Sequence, residues 1–220
     1  MSRADVLAAI EASGLPAAVR DYLAAFVKGG SASGLRRALK ADPAGVTADI
    51  AALLARAGRA LGLPADEALF ATGFHPKNLS PSRLEAALAE LRAVIFLRAE
   101  GFTAIRLVER RDGKSPDIIA SGPGGTCAFE VQCVTGASSF LKDGPTVLRA
   151  KLAKKAAQAA SAVKRGAACS ACVVFVLGEA RLPGGREGAG LSGLARAAGE
   201  GAKVRVCVLA GESSAVWPPW

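Results

Sequence analysis

Two carboxylates in this sequence lie at positions that a β-sheet would bring together. Asp117 belongs to the run S-P-D-I-I-A, and Glu130 belongs to the run T-C-A-F-E-V-Q-C-V. Both runs are typical of strands, and the glycine-rich segment 121–125 between them is typical of a turn. A hairpin of this kind places Asp117 close to Glu130. Two converging carboxylates can hold a hard cation such as Mg²⁺, which takes one or two carboxylates together with water and phosphate oxygens.

The second of these runs separates polar from apolar side chains. Glu130 and Gln132 fall on one face, because successive side chains of a strand point to opposite faces. The other face carries the apolar side chains of Cys127, Phe129, Val131 and Cys133. We therefore expect this strand to bury one face in the core and to carry a polar site on the other.

The elements that must position this hairpin are predicted from the spacing of apolar residues. Either Ser80 or Ser82, the latter in a capping box with Glu85, begins a helix that ends near Ala99. A strand over 103–108 follows it. After the hairpin, the pattern predicts a helix over 146–165, a strand over 172–177, a helix over 191–198 and a strand over 204–209. The predicted order is helix, three strands, helix, strand, helix, strand. It indicates an α/β domain with a mixed central sheet flanked by helices.

The first 77 residues predict helices alone. Thr47 is predicted to cap the longest of these helices, which ends near Leu61. The chain is thus divided into an all-α N-terminal module, residues 1–77, and an α/β domain, residues 78–220. We interpret the charges of the module as solvated helix faces, with nucleic-acid contact or oligomerisation as the alternative.

This combination of motif and element order resembles the PD-(D/E)XK nuclease superfamily, whose core is the restriction-endonuclease-like αβββαβ fold. The resemblance rests on Pro116-Asp117, a gap of twelve residues, and Glu130-Val131-Gln132 on the second and third strands. It covers about residues 80–210. The sequence departs from the family motif at the last position, where Gln132 replaces lysine, as it does in some active members.

The resemblance implies a metal-dependent nuclease that hydrolyses phosphodiester bonds of nucleic acid with Mg²⁺ or Mn²⁺. The implied metal ligands are the side chains of Asp117 and Glu130, the backbone carbonyl of Val131 and a glutamate of the preceding helix. That glutamate is Glu90, with Glu85 as the alternative. Gln132 would hydrogen-bond a water molecule but cannot carry a positive charge. Because some family members take their lysine from the following helix, we hypothesise that Lys151 supplies that charge.

The charge of the chain is consistent with a polyanionic partner. The formal net charge is +9, which favours nucleic acid, and DNA is favoured over RNA. The predicted nucleic-acid contacts are Lys114, Lys142, Arg149 and Lys155. No apolar run approaches the roughly 18 residues that span a membrane, so no membrane partner is expected. The start of the chain lacks a signal-peptide pattern, which predicts a cytoplasmic protein; homodimer formation is left open.

Two other functions remain open from the sequence. The chain could be a catalytically inactive nuclease-fold protein that binds nucleic acid or a protein partner, with Gln132 as the mark of lost activity. It could also be an ordinary α/β protein in which Asp117 caps a turn and Glu130 is a satisfied sheet carboxylate.

The cysteines do not predict a metal centre. Cys169 and Cys172 have C-x-x-C spacing, but a zinc site needs two further ligands and the single histidine, His75, is far away in sequence. We therefore interpret the five cysteines as reduced thiols.

Overall fold

The computed structural model of the protein describes residues 1–29, 34–80, 82–108, 115–135, 137–178 and 187–220, with the backbone alone at 137–142 and 187–189. Within these ranges the protein has eight helices and one mixed, open sheet of six strands. Its contacts divide it into two units, Met1–Ile95 and Phe96–Trp220. No helix in the described ranges is long and apolar enough to cross a membrane. These observations confirm the predicted α/β class.

The first unit is built from helices, as predicted for the N-terminal part of the chain. They are α1 (Arg3–Glu11), α2 (Ala17–Lys28), α3 (Gly34–Ala41), α4 (Pro43–Leu61), α5 (Ala65–Ala71) and most of α6 (Arg83–Ala99). Fully buried side chains on four of them form the core of the unit: Ile10, Leu23, Leu39 and Leu54. The division between the units falls within α6, and the boundary placed at residue 77 stays a prediction.

Helix α4 begins earlier than its sequence seemed to indicate. The carboxylate of Asp42 caps it by accepting a hydrogen bond from the N–H of Gly45 at 2.9 Å. Pro43 occupies the first turn, where a missing N–H costs nothing. Thr47 lies inside the helix, and its hydroxyl donates to the carbonyl of Pro43 at 2.8 Å. The prediction that Thr47 caps the helix was therefore wrong, because an aspartate followed by proline is the stronger start signal.

The second unit is organised around the sheet. Its strands are β1 (Thr103–Leu107), β2 (Ile118–Gly122), β3 (Gly125–Val134), β4 (Ser170–Leu177), β5 (Arg205–Ala210) and β6 (Ser213–Trp217), which lie side by side in this order. Strands β3, β4 and β5 are parallel, and the other neighbours are antiparallel. Helix α7 (Ala137–Lys164) connects β3 to β4, and α8 (Glu187–Gly199) connects β4 to β5. The observed order is the predicted one with β6 added.

Helices α7 and α8 pack on the same face of the parallel strands. Their shared apolar cluster includes Leu152, Leu191, Val173, Phe175 and Val206. Helix α7 consists of two helical segments, since the backbone at Asp143 is not helical (φ −134°, ψ 32°). The second segment corresponds to the predicted helix over 146–165, and it is the one that lies across β3.

The turn between β2 and β3 sets the register of the hairpin. Gly122 pairs with Gly125, and Ile118 pairs with Phe129 further along. Gly125 has a φ of 101°, in the region that favours glycine. The hairpin therefore depends on a glycine at this position.

Replacing Gly125 by alanine should destabilise the protein by about 1 kcal/mol or more, because alanine is strained at this φ. An added Cβ would also lie 3.3 Å from Sγ of Cys169. Gly124→Ala is the matched control, since a Cβ there meets no atom within 4 Å. Urea unfolding followed by far-UV circular dichroism measures both variants, and equal unfolding midpoints would contradict the role of Gly125.

The C-terminal residues pack against the start of β1 and the middle of β3. The ring of Trp220 lies 4.8 Å from that of Phe102 and 6.2 Å from that of Phe129, between centroids. Its indole N–H donates to the carboxylate of Glu100 at 2.7 Å. The last residue of the chain is thus held by an aromatic cluster and one hydrogen bond.

Candidate active site

The two carboxylates face each other across the β2–β3 hairpin. The pairing of Ile118 with Phe129 continues one residue further, because the N–H of Asp117 donates to the carbonyl of Phe129 at 3.0 Å. Asp117 therefore lies opposite Glu130, and directly opposed residues of an antiparallel pair carry their side chains on the same face. Both residues are buried.

A lysine from α7 contacts both carboxylates. Nζ of Lys155 lies 2.8 Å from Oε2 of Glu130 and 3.7 Å from Oδ2 of Asp117. These two oxygens are at most 6.5 Å apart, the sum of the two distances. The side chain of Lys155 is 17% exposed, against 3% for Asp117 and 2% for Glu130. The cation is therefore the member of the trio that faces solvent.

The position of Lys155 follows from how α7 packs on β3. Towards the end of the helix Ala162 packs against Ala128, and nearer its start Leu152 packs in the cluster that contains Val134. Lys155 lies three residues after Leu152 and seven before Ala162, so it projects from the same side of the helix. Along β3, Glu130 lies between Ala128 and Val134 on the face that α7 covers.

Asp117 is also held by the backbone of β3. The N–H of Val131 donates to Oδ2 of Asp117 at 2.8 Å, which is the same oxygen that lies 3.7 Å from Lys155. This bond ties the carboxylate of one strand to the main chain of the next. The carboxylate is therefore fixed before any ligand arrives.

The role of Lys151 in supplying a positive charge stays a prediction. Lys151 lies one helical turn before Lys155 and is half-buried, whereas the contacts to both carboxylates belong to Lys155. The signal in the sequence was the position of Lys155 within the apolar stripe of Leu152, Ala159 and Ala162. A charge inside such a stripe needs a buried partner of opposite charge.

The structure also places two other predicted site residues, Gln132 and Glu90. Gln132 is half-buried on β3, and its amide nitrogen donates to the carbonyl of the adjacent Cys133 at 2.7 Å. Glu90 is buried on α6, in the first unit. The roles of Gln132 in orienting water and of Glu90 as a metal ligand stay predictions.

Two of the predicted nucleic-acid contacts, Arg149 and Lys155, lie in different surroundings. Arg149 is exposed, and its Nε donates to the carbonyl of Ala197 in the last turn of α8 at 2.7 Å. Lys155 lies at the carboxylates. Lys114 and the side chain of Lys142 lie outside the described residues.

The carboxylate pair matches the needs of a hard divalent cation. In the part of the chain that the structure describes, no three Asp, Glu, His or Cys side chains form a metal-ligand group. Mg²⁺ needs only one or two protein carboxylates, because water and substrate complete its coordination. Asp117 and Glu130 already bind one cation, the ammonium of Lys155. With that ammonium, the three side chains carry a formal charge of −1.

The C-x-x-C residues do not share a site. Cys169 is exposed, whereas Cys172 is buried on β4 with its Sγ 3.3 Å from Sγ of Cys207 on β5. Burial, together with the neighbouring Cys172, raises the pKa of the Cys207 thiol well above its usual value. Cys207 therefore remains a protonated, unreactive core thiol.

Comparison of the chain with protein-family models, with curated proteins and with solved structures found no significant match. Assignment of function therefore rests on the geometry of Asp117, Glu130 and Lys155.

Proposed function

We propose that this protein is a metal-dependent nuclease of the PD-(D/E)XK type, which hydrolyses phosphodiester bonds of nucleic acid. The observation that carries the proposal is the contact of one lysine ammonium with two buried carboxylates that face each other across a hairpin. The element order supports a restriction-endonuclease-like core, since β1, β2 and β3 form a meander and α7 leads to a strand parallel to β3.

Asp117 and Glu130 would hold Mg²⁺ or Mn²⁺, with the carbonyl of Val131 as a further ligand that the family resemblance implies. When bound, the metal supplies charge neutralisation on the phosphate and a water of lowered pKa. The chain supplies preorganisation. Asp117 is fixed by the N–H of Val131, and Glu130 is fixed by a strand hydrogen-bonded on both sides. Neither carboxylate has to reorganise during the reaction.

Lys155 takes the role that the family motif gives to its lysine. The carboxylates that contact its ammonium are also the ones that would hold a metal, and both groups are positive. With a metal present, the N–H groups of Lys155 would be available to a phosphate oxygen or to the attacking water. Because Lys155 is more exposed than either carboxylate, a phosphate would approach from its side. Lys155 then supplies the positive charge, which Gln132 cannot carry.

Cleavage assays test this function directly. We expect the wild-type protein to cut DNA or RNA in the presence of Mg²⁺ or Mn²⁺ and to stop when EDTA is added. Asp117→Asn should reduce the rate by about 10²–10³-fold, the usual cost of losing one charge-stabilising group. Asp49→Asn, which changes an exposed carboxylate of α4, is the matched control. A folded wild-type protein that cuts neither nucleic acid with either metal would exclude the nuclease.

One observation favours a second candidate, a nucleic-acid-binding protein that does not cut. The ammonium of Lys155 pairs with both carboxylates, so the three side chains form an ion-paired network without a metal. This candidate predicts binding of nucleic acid with no cleavage and no effect of Mg²⁺ on the unfolding midpoint.

A further inference from the structure

A cationic groove of about 540 Å³ lies at the amino ends of the parallel strands. It is formed where α7 ends, where β4 and β5 begin and where the chain leaves β6. Its lining includes Lys164, Cys169, Ser170, Lys203, Arg205 and Pro218. We call this site the basic groove. Three of its lining side chains are cations, and none is a carboxylate.

The cations of the basic groove are not neutralised by described parts of the protein. Lys164 and Lys203 are exposed, and neither ammonium forms an ion pair with a residue that the structure describes. The guanidinium of Arg205 lies 5.6 Å from the ring centroid of Trp220, which holds it without cancelling its charge. The buried Nε of Arg205 has no hydrogen-bond partner among the described residues. Three like charges in one concavity favour a bound anion.

The shape and position of the groove indicate which kind of anion it binds. The groove is open to solvent, which suits a passing strand better than an enclosed small molecule. Glu130 pairs with Val173, three residues along β4 from Ser170, so the groove lies about 10 Å from the carboxylates along the strand direction. That length is within the span of a few nucleotides of one strand, whose charges recur every 3.4 Å along the axis of a duplex.

We propose that the basic groove binds the sugar-phosphate backbone of a nucleic-acid strand within a few nucleotides of the phosphate that is cleaved. The spacing rests on the proposed nuclease function. The binding itself rests on Lys164, Lys203 and Arg205. These side chains position the substrate and do not take part in the chemistry.

Alkylation of Cys169 gives a direct readout of occupancy. Cys169 lines the groove and is the exposed member of the five cysteines. The rate of its reaction with iodoacetamide is measured by peptide mass spectrometry in EDTA, so that nothing is cut, with and without a duplex oligonucleotide. We expect saturating oligonucleotide to slow the reaction in wild type, and to slow it less in the Lys164→Gln/Lys203→Gln variant at the same oligonucleotide concentration.

The same double variant tests affinity by fluorescence anisotropy in EDTA. Each lost phosphate contact lowers the salt slope of binding by about one, so we expect weaker binding and a slope lower by about two. Lys28→Gln/Lys154→Gln removes the same charge from exposed lysines outside the groove and should keep the wild-type slope and affinity.

Three outcomes overturn the proposal: equal weakening in the two double variants, alkylation of Cys169 that bound oligonucleotide does not slow, and protection by millimolar inorganic phosphate but not by oligonucleotide. The last would indicate a site for a small anion. The same measurements distinguish failure of the nuclease function from failure of the basic groove as a nucleic-acid site. Protection of Cys169 without any cleavage in Mg²⁺ or Mn²⁺ rejects the nuclease and supports the basic groove as a nucleic-acid site.

Discussion

Replacing Lys155 by methionine should lower the free energy of unfolding by about 3–5 kcal/mol in EDTA. Methionine keeps a long, flexible side chain but removes the ammonium that lies 2.8 Å from Glu130 and 3.7 Å from Asp117. The effect is large because both carboxylates are buried and would lose the ammonium of Lys155. Urea unfolding measures the loss.

Lys154→Met is the matched control for this prediction. Lys154 is the adjacent residue of α7 and is exposed, so its loss should change stability by no more than about 0.5 kcal/mol. Equal stability of the two variants would show that the contacts of Lys155 are not maintained in solution.

Metal then separates the two candidate functions. An ion that binds only the folded state stabilises it. Mg²⁺ or Mn²⁺ should therefore raise the stability of Lys155→Met, and raise it more than in wild type, where the ammonium competes for the same oxygens. Stability that responds to neither metal in either protein would contradict a metal site at Asp117 and Glu130.

Replacing Glu130 by glutamine should reduce cleavage by at least about 10²–10³-fold while the protein stays folded. The amide preserves the shape of the side chain and removes one of the two negative charges that would hold the metal. Glu67→Gln, at an exposed position of α5, is the control for loss of one carboxylate. Cleavage by Glu130→Gln at the wild-type rate would remove Glu130 from the site.

Combining Glu130→Gln with Lys155→Met separates stability from activity. The double variant should be more stable than the sum of the single effects allows, by about 0.5–3 kcal/mol, because it lacks both the ammonium and the charge that the ammonium compensates. It should remain inactive. Strictly additive free energies would mean that Lys155 and Glu130 do not interact.

The hairpin of Asp117 and Glu130 was predictable because its signals are local. Alternation along β3 separates Glu130 from Phe129, and the glycine-rich turn leaves one way to connect the strands. Strand β6 gave no comparable signal, since S-S-A-V-W is short and half polar. Its pairing with β5 makes it a strand, and such pairing cannot be read from a single segment.

The identity of the site lysine could not be predicted with the same certainty. Lys151 and Lys155 lie one turn apart on the same helix. The apolar stripe of Leu152, Ala159 and Ala162 contains Lys155 and is bordered by Lys151. The choice depends on how far α7 is shifted along the strand, which is set by apolar contacts such as that of Ala162 with Ala128. Those contacts join residues distant in sequence.

The tryptophans and the tyrosine are divided between the two units, with Trp220 packed on Phe102 and Phe129 in the second. Both tryptophans of the chain, Trp217 and Trp220, belong to the second unit, and the single tyrosine, Tyr22, lies on α2 in the first. Tryptophan emission therefore reports on the second unit, and the tyrosine signal reports on the first, without any label. Coincident melting of the two signals would indicate one cooperative transition, whereas separate melting would indicate units that unfold independently.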